Sequence, residues 1–370
     1  MFYPLKFVPV YKDYIWGGRN LEKLGKKLPE GKVAESWEVS CHPDGESIIS
    51  NGLFKGKSLT DYVNEFNYKV IGTGLSWKPG DRFPLLIKLI DANDRLSVQV
   101  HPDDEYASLH EEDKNGKNEM WYVISAKPGA KLVYGLKTGT TREKLENAVR
   151  NNSIEEHLNY IQVAAGDALN IPAGLVHAIG SGILLAEVQQ NSNNTYRVYD
   201  YERVDINGNK RPLHIEKALE VISYDEEASC NDDVSNINTF NNKKMVENYQ
   251  PENSITHLVS SKYFAVDLID ISSEGEIEEI ADGSRFYIYL FIKGDGVISY
   301  SNNGDSSHKN NGDSSRTGSQ KCTQSTGCFF NKIDVKMGES VFIPASMGNY
   351  KISGNIKCIK AYIPLCHMKL

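Results

Sequence analysis

Apolar positions along this chain fall mostly into short alternating or continuous blocks of strand length, and only a few stretches carry a helical period. Phe83 to Ala92 and Leu96 to His101 read as the first strong strands. In the second, Gln99 and His101 stand two apart, so a strand aims both at one face while Val98 and Val100 point the other way. Pro102 has no backbone N–H and ends the regular pairing. Glu119 opens the apolar run Met120-Trp121-Tyr122-Val123-Ile124; strands resume at Tyr160-Ile161-Gln162-Val163 and continue through Asn170, Ala178 and Gln190. His177 follows the turn Ile171-Pro172-Ala173-Gly174. Helical signals are fewer. Ser58, with Asp61 three later, caps a run to Phe66. Asp103 to Glu112 reads as a helix, and Thr140-Thr141-Arg142-Glu143 resembles a capping box. A short helix is expected from Ser153, with Glu156 in the reciprocal position, and Ile215 to Ile222 shows helical periodicity.

An internal repeat organises these elements. Gly166-Asp167-Ala168-Leu169-Asn170-Ile171-Pro172-Ala173 is echoed by Gly338-Glu339-Ser340-Val341-Phe342-Ile343-Pro344-Ala345, and Gly182 and Gly354 keep the same register. In that register Asn349 takes the place of His177, so the second copy is expected to lack a metal. The composition shifts to Asn, Asp and Ser between Ser229 and Asn242, which marks a linker. The expected organisation is mainly β: a first barrel over residues 1–228 with a small helical insertion at about 103–160, a linker at 229–250, and a second, degenerate barrel over 251–370. Residues 301–327, rich in Ser, Asn, Gly and Lys, interrupt the second barrel as a low-complexity insert.

At 370 residues two or three units are expected. The net charge of −8 argues against broad nucleic-acid binding, so any anion site should be a local cluster. No run is long enough to span a bilayer, and Met1-Phe2-Tyr3-Pro4-Leu5-Lys6 lacks a secretion-signal layout, so a cytoplasmic protein without membrane partners is expected. Its 6 cysteines include no C-x-x-C pair, which disfavours a thiolate zinc site and points to free thiols.

Gln99, His101, Glu119 and His177, on separate strands of one barrel, make a first shell for a divalent metal. Imidazole, carboxylate and amide donors suit zinc but also manganese, iron or cobalt, and three or four protein ligands leave room for water or substrate. A lone His beside a Pro is usually a core or surface residue; two His and a Glu together reverse that expectation. Gln99 is either a direct ligand or a donor to one. His42, His110, His157, His214, His257, His308 and His367 have no partner pattern. Trp37 and Trp121 read as core, as does Trp16, which also stands where it could line a pocket.

These residues carry a resemblance. Gln99-Val100-His101-Pro102, Lys117-Asn118-Glu119-Met120-Trp121-Tyr122, Ile171 to Ala178, Glu187-Val188-Gln189-Gln190-Asn191-Ser192 and Thr195-Tyr196-Arg197-Val198-Tyr199-Asp200, with Tyr14 to Gly18 and Glu35 to Glu38, resemble the type I mannose-6-phosphate isomerases in their shorter bacterial form. The resemblance implies two cupin-like (jelly-roll) β-barrels and one Zn2+ per chain on Gln99, His101, Glu119 and His177. It implies interconversion of mannose 6-phosphate and fructose 6-phosphate through an enediol. It also places a catalytic arginine at Arg197, with Ser97 and Glu187 in the pocket. A sugar phosphate needs cations. Lys88 interrupts a strand whose neighbours alternate poorly, so both faces are covered and the lysine requires an anionic partner. Lys117 stands two before Glu119, and Arg197 can grip an oxyanion bidentately. Lys88, Lys117, Ser97 and Glu187 are the expected substrate contacts. Two rivals remain: an iron cupin oxygenase, which would want a His where Gln99 stands, and a metal-free sugar-binding cupin.

Overall fold

The computed structural model describes residues 2–204, 207–224, 253–272, 274–301 and 331–365. The linker expected at 229–250 and residues 302–327 of the insert lie outside them. Among the described residues the chain is mainly β, with short helices at its margins.

Two compact units emerge. One combines Pro9–Ser47 with Arg82–Tyr249; the other combines Met1–Val8, Ile48–Asp81 and Gln250–Leu370. The sequence places the first 228 residues in a single unit, and the structure divides them. Strand Leu5–Val8 pairs antiparallel with Ser340–Ile343 and with Ile48–Ile49, which draws both early segments into the C-terminal unit. Nothing local to Leu5 or Ile48 encodes that long-range pairing.

In the unit that combines Pro9–Ser47 with Arg82–Tyr249, one sheet runs in the order Ala168–Ile171, Glu119–Ala126, Ile183–Gln190, Leu85–Ala92, Glu35–Val39, Val10–Lys12. A five-stranded sheet runs Leu158–Gln162, Lys131–Leu136, His177–Ala178, Val98–Val100, Tyr196–Tyr199. Period-2 alternation sorts their side chains. Leu132 joins Ile90, Trp121, Leu169 and Leu185 in one apolar cluster. Its neighbour Val133 joins Val98, Val100 and Val198 in another, packed against Leu145 and Leu219 of the helices Arg142–Arg150 and Ile215–Val221. The helices therefore cover the outer face of the five-stranded sheet, and its other face is free to carry polar groups.

The helix Asp104–His110 is capped by Asp103, whose side chain accepts from Tyr106 N. The next is capped by Thr141, one residue later than the capping-box pattern placed it. Glu119–Ala126 and Lys131–Leu136 lie between these two helices in sequence, so residues 103–160 do not form one helical insertion. Cys358 is a buried free thiol.

The internal repeat is a repeated ladder. Ala168–Ile171 pairs with Glu119–Ala126, setting Ile171 opposite Glu119; Ser340–Ile343 pairs with Tyr287–Tyr300, setting Ile343 opposite Tyr287. Tyr287 thus stands where Glu119 stands in the first copy, and Asn349 where His177 stands. The core of the second unit is aromatic: Phe286, Phe291, Phe342, Tyr289 and Tyr350 are fully buried, and the two tyrosine hydroxyls bond each other at 2.8 Å.

Candidate metal centre and active site

The ladder register assembles the site. His177 lies directly opposite Gln99, and Arg197 lies opposite Gln99 on the other side, so three adjacent strands present these side chains in one row. His101 follows Gln99 by two on the same face, as the alternation predicts. In the other sheet a second row runs Trp121, Glu187, Lys88, Trp37 across four strands.

His101, Glu119 and His177 are all buried, and one ligand atom from each lies within 4.8 Å of the others. His101 Nε2 is 3.5 Å from Glu119 Oε2, and His177 Nε2 is 3.4 Å from Glu119 Oε1. Each imidazole is oriented from behind. His101 Nδ1 lies 2.8 Å from Asn194 O and His177 Nδ1 lies 2.8 Å from Leu175 O. A carbonyl only accepts, so Nδ1 carries the proton in both rings and each Nε2 offers a lone pair toward Glu119. Burial, then the nearby Lys117, pushes His101 down to about 3, and burial likewise lowers His177. Burial works to raise the Glu119 carboxyl, yet Lys117 and the histidines hold it well below its ordinary value. Neither Glu119 oxygen accepts a hydrogen bond, although Lys117 Nζ stands 2.8 Å from Oε2. Two neutral imidazoles and an ionised carboxylate with orphaned lone pairs are what a divalent cation requires, so these residues fit a metal. Gln99 Nε2 is 3.4 Å from His177 Nε2, and turning the amide would bring its oxygen to the same place.

Beside this cluster opens a cavity of about 260 Å3. Lys88, Lys117, Ser97, Gln99, Glu187 and Arg197 all line it, so every residue expected to touch substrate faces one space. Lys88 is buried with its Nζ 3.2 Å from Glu187 Oε1 and 3.8 Å from Glu35 Oε2. Burial opposes its charge, but Glu35 and Glu187 keep its pKa raised. The anionic partner that the sequence required is therefore a pair of glutamates. Glu187 Oε2 accepts from Trp121 Nε1 at 3.0 Å, and burial together with Glu119 raises the Glu187 carboxyl. Lys117 Nζ also lies 3.0 Å from His101 Nε2. Arg197 donates from Nε to Ser97 Oγ at 3.2 Å and from Nη1 to Pro212 O at 2.9 Å.

Other lining residues escaped the sequence reading: Tyr14, Glu35, Asn193, Thr195 and Arg211. Tyr14, Glu35 and Thr195 stood in quoted motifs, and none of them had a distinguishing spacing. Trp16 lines the cavity as well as packing in the core. His214, read as partnerless, accepts from Arg197 N at 3.1 Å through Nδ1 and so anchors the arginine's backbone. His42 and His257 also have partners, the carboxylates of Asp113 and Asp267.

This mainly-β architecture, with a buried His–Glu–His cluster at a charged cavity, has close counterparts among solved structures. The mannose 6-phosphate isomerase from Bacillus subtilis superposes with a TM-score of 0.75 at 31% identity, over 97% of this chain and 99% of that one. A phosphomannose isomerase variant from Salmonella typhimurium shares the fold, with a TM-score of 0.67 at 16% identity. The model of the phosphomannose isomerase type I catalytic domain matches residues 5–126. Mannose-6-phosphate isomerase ManA of Bacillus subtilis is 33% identical over 361 residues, 97% of this chain and 99% of the relative. A probable mannose-6-phosphate isomerase from the same organism, GmuF, is 44% identical over 60% of this chain and 69% of its own length. The chain belongs to the type I phosphomannose isomerase family. It is a metal-binding-type isomerase of carbohydrate metabolism.

Proposed function

We propose that the chain is a zinc-dependent aldose–ketose isomerase that interconverts mannose 6-phosphate and fructose 6-phosphate through an enediol. The observation that carries this reading is the convergence of two Nε2 lone pairs and an unsatisfied carboxylate beside a cavity that also holds Lys88, Glu187 and Arg197. Gln99, His101, Glu119 and His177 would hold the ion, one per chain. When bound, zinc supplies a fixed positive charge that stabilises negative charge developing on the sugar oxygens.

The chain's own residues do the rest. Glu187, held by Trp121 and facing Lys88, has the raised pKa that proton transfer between C2 and C1 needs. Lys88 keeps its ammonium beside that carboxyl and offers positive charge to an enediolate oxygen. Arg197, braced by Ser97 and the Pro212 carbonyl, presents a guanidinium already oriented for an oxyanion. Lys117 holds Glu119 ionised and so keeps the ligand set in its binding form.

In this reading each unit's sheets close as a cupin-like barrel, and only the first keeps its chemistry. The partner is a small sugar phosphate rather than a nucleic acid or a membrane. A cytoplasmic location rests on the sequence; among the described residues no helix is long and apolar enough to cross a membrane. The test is metal analysis of the purified chain beside a coupled assay on mannose 6-phosphate, before and after chelation. We expect close to one zinc per chain, activity lost on chelation, and recovery on adding zinc back. Full activity in a metal-free preparation would sink the proposal.

A further inference from the structure

We propose that Asp113 is a positioning residue for the metal centre: its carboxylate fixes the chain around Asn194, whose carbonyl holds His101 with the proton on Nδ1 and Nε2 free for the ion. The inference rests on the zinc reading above and concerns a residue outside the ligand set.

The two imidazoles are oriented by carbonyls of different kinds. His177 Nδ1 meets Leu175 O, two residues back in its own segment, where Leu175 N is already tied to Pro172 O at 3.2 Å. His101 Nδ1 meets Asn194 O, which lies 93 residues further along the chain. Residues 191–195 form neither helix nor strand, so no ladder sets the place of that carbonyl.

Side chains set it instead. Asn194 Nδ2 donates to Asp113 O at 2.6 Å and to Asn115 O at 2.9 Å, and Asn194 N donates to the buried Ser192 Oγ at 3.3 Å. Ser192 Oγ donates in turn to Asn115 O at 2.9 Å. The Asn194 carbonyl is therefore only as fixed as residues 113–115, which are irregular as well.

Asp113 pins both loops at once. Its Oδ1 accepts from Asn115 N at 3.4 Å and from Arg82, and its Oδ2 accepts from Asn193 N at 3.4 Å. Arg82 Nη1 also reaches Asn191 O at 3.3 Å, tying the same corner a second time. The buried His42 anchors the carboxylate from behind. Asp44 N donates to His42 Nδ1 at 3.1 Å, so the proton of this ring sits on Nε2 and points at Asp113 Oδ2, 3.3 Å away. Burial opposes the charge of Asp113, yet the His42 bond and Arg82 hold its carboxyl below the ordinary range, so it acts as an acceptor only. Without that carboxylate the donors of both loops lose their common acceptor. Asn194 O is then free to leave His101, and the imidazole admits the tautomer with its proton on Nε2, which cannot ligate.

The experiment measures the zinc dissociation constant of the full chain by competition with a chromophoric chelator, in Asp113→Ala, Asp113→Asn, Asn194→Ala and the double variant Asp113→Ala/Asn194→Ala. We expect Asp113→Ala to weaken zinc binding by about 10–100-fold, and Asp113→Asn, which keeps an oxygen toward the loops, to recover part. Because both residues act through one carbonyl, the double variant should lose no more than the weaker-binding single variant. Asp200→Asn serves as the control for general destabilisation and should keep the wild-type zinc constant. A constant within about twofold of wild type in Asp113→Ala, additive losses in the double variant, or an equal loss in Asp200→Asn would overturn the assignment. If Asp113→Ala does not accumulate, the same cycle run with Asp113→Asn decides. If the wild type binds no zinc, the metal reading falls on its own. The His101 tautomer, read by two-bond 1H–15N correlation in the metal-free chain, then decides: a single Nδ1–H form in wild type that becomes a mixture in Asp113→Asn supports the role, and an unchanged pattern overturns it.

Discussion

Lys117 shows how one side chain can set the state of several others. Its ammonium, 2.8 Å from Glu119 and 3.0 Å from His101 Nε2, favours an ionised acid and a neutral imidazole together. His177 is held by a different device, a backbone carbonyl at 2.8 Å. Replacing His177 by Ala removes one Nε2 donor and leaves Glu119 with a single imidazole facing it. The expected outcome is loss of zinc and a fall in turnover of about a thousandfold or more, since Lewis-acid stabilisation supplies several kcal/mol. Zinc retained at full occupancy would refute the ligand assignment. Glu187→Gln tests a separate group. It keeps the hydrogen bond from Trp121 within reach but cannot carry the proton, so zinc should stay and kcat fall by about 10²–10⁴-fold. Unchanged kcat would remove Glu187 from the proton path. Most of this chemistry was legible in sequence because it lay in compact motifs. Glu35 was not, since it meets the site only through Lys88, a partner far away in the chain.

The strand containing Gln99 illustrates what alternation can and cannot reveal at the level of an element. Val98 and Val100 do pack outward against the helix layer, and Gln99 and His101 do face inward, as period 2 requires. What alternation cannot supply is the neighbour. That Gln99 lies between His177 and Arg197 is a fact of ladder register. The register is guarded by close backbone approach. At Gly180, two residues beyond the strand His177–Ala178, a Cβ would come within 1.7 Å of the Lys131 carbonyl oxygen. Backbone cannot swing aside as a flexible side chain does. Gly180→Ala should therefore push Lys131–Leu136 away from His177–Ala178 and destabilise the protein by about 1–3 kcal/mol. Urea unfolding of the variant measures it; a midpoint equal to wild type would mean that the backbone relaxes freely. In the sequence Gly180 looked like any loop glycine.

Over the whole molecule, the duplication was readable from the G-(D/E)-x-x-x-I-P-A repeat, but the partition of the chain was not, because Leu5–Val8 reaches Ser340–Ile343 across most of its length. Acidic composition likewise says little until the partners are seen. Asp200, Asp113 and Glu111 are each partly or wholly buried, which alone would raise their pKa values. Hydrogen bonds from Arg211 and Arg203, from His42, and from Lys217 and Tyr196 respectively outweigh burial and hold all three below their ordinary values. The unfolded chain therefore binds more protons than the folded one through the window between folded and unfolded pKa values, and stability rises with pH across it. The contribution is complete above the unfolded carboxylate range of about 3.9–4.3 and is lost as pH falls through the depressed folded values. Asp200→Asn removes one such contribution, at a carboxylate that answers two guanidiniums at once. At pH 7 the variant should be less stable by about 1.5–3 kcal/mol, the range for hydrogen bonds to charged groups. As the wild-type carboxyl protonates, both proteins leave the same arginines without a counter-charge, so their urea midpoints should converge toward acid pH. A gap that stays constant from neutral to acid pH would show that Asp200 acts through packing and not through its charge.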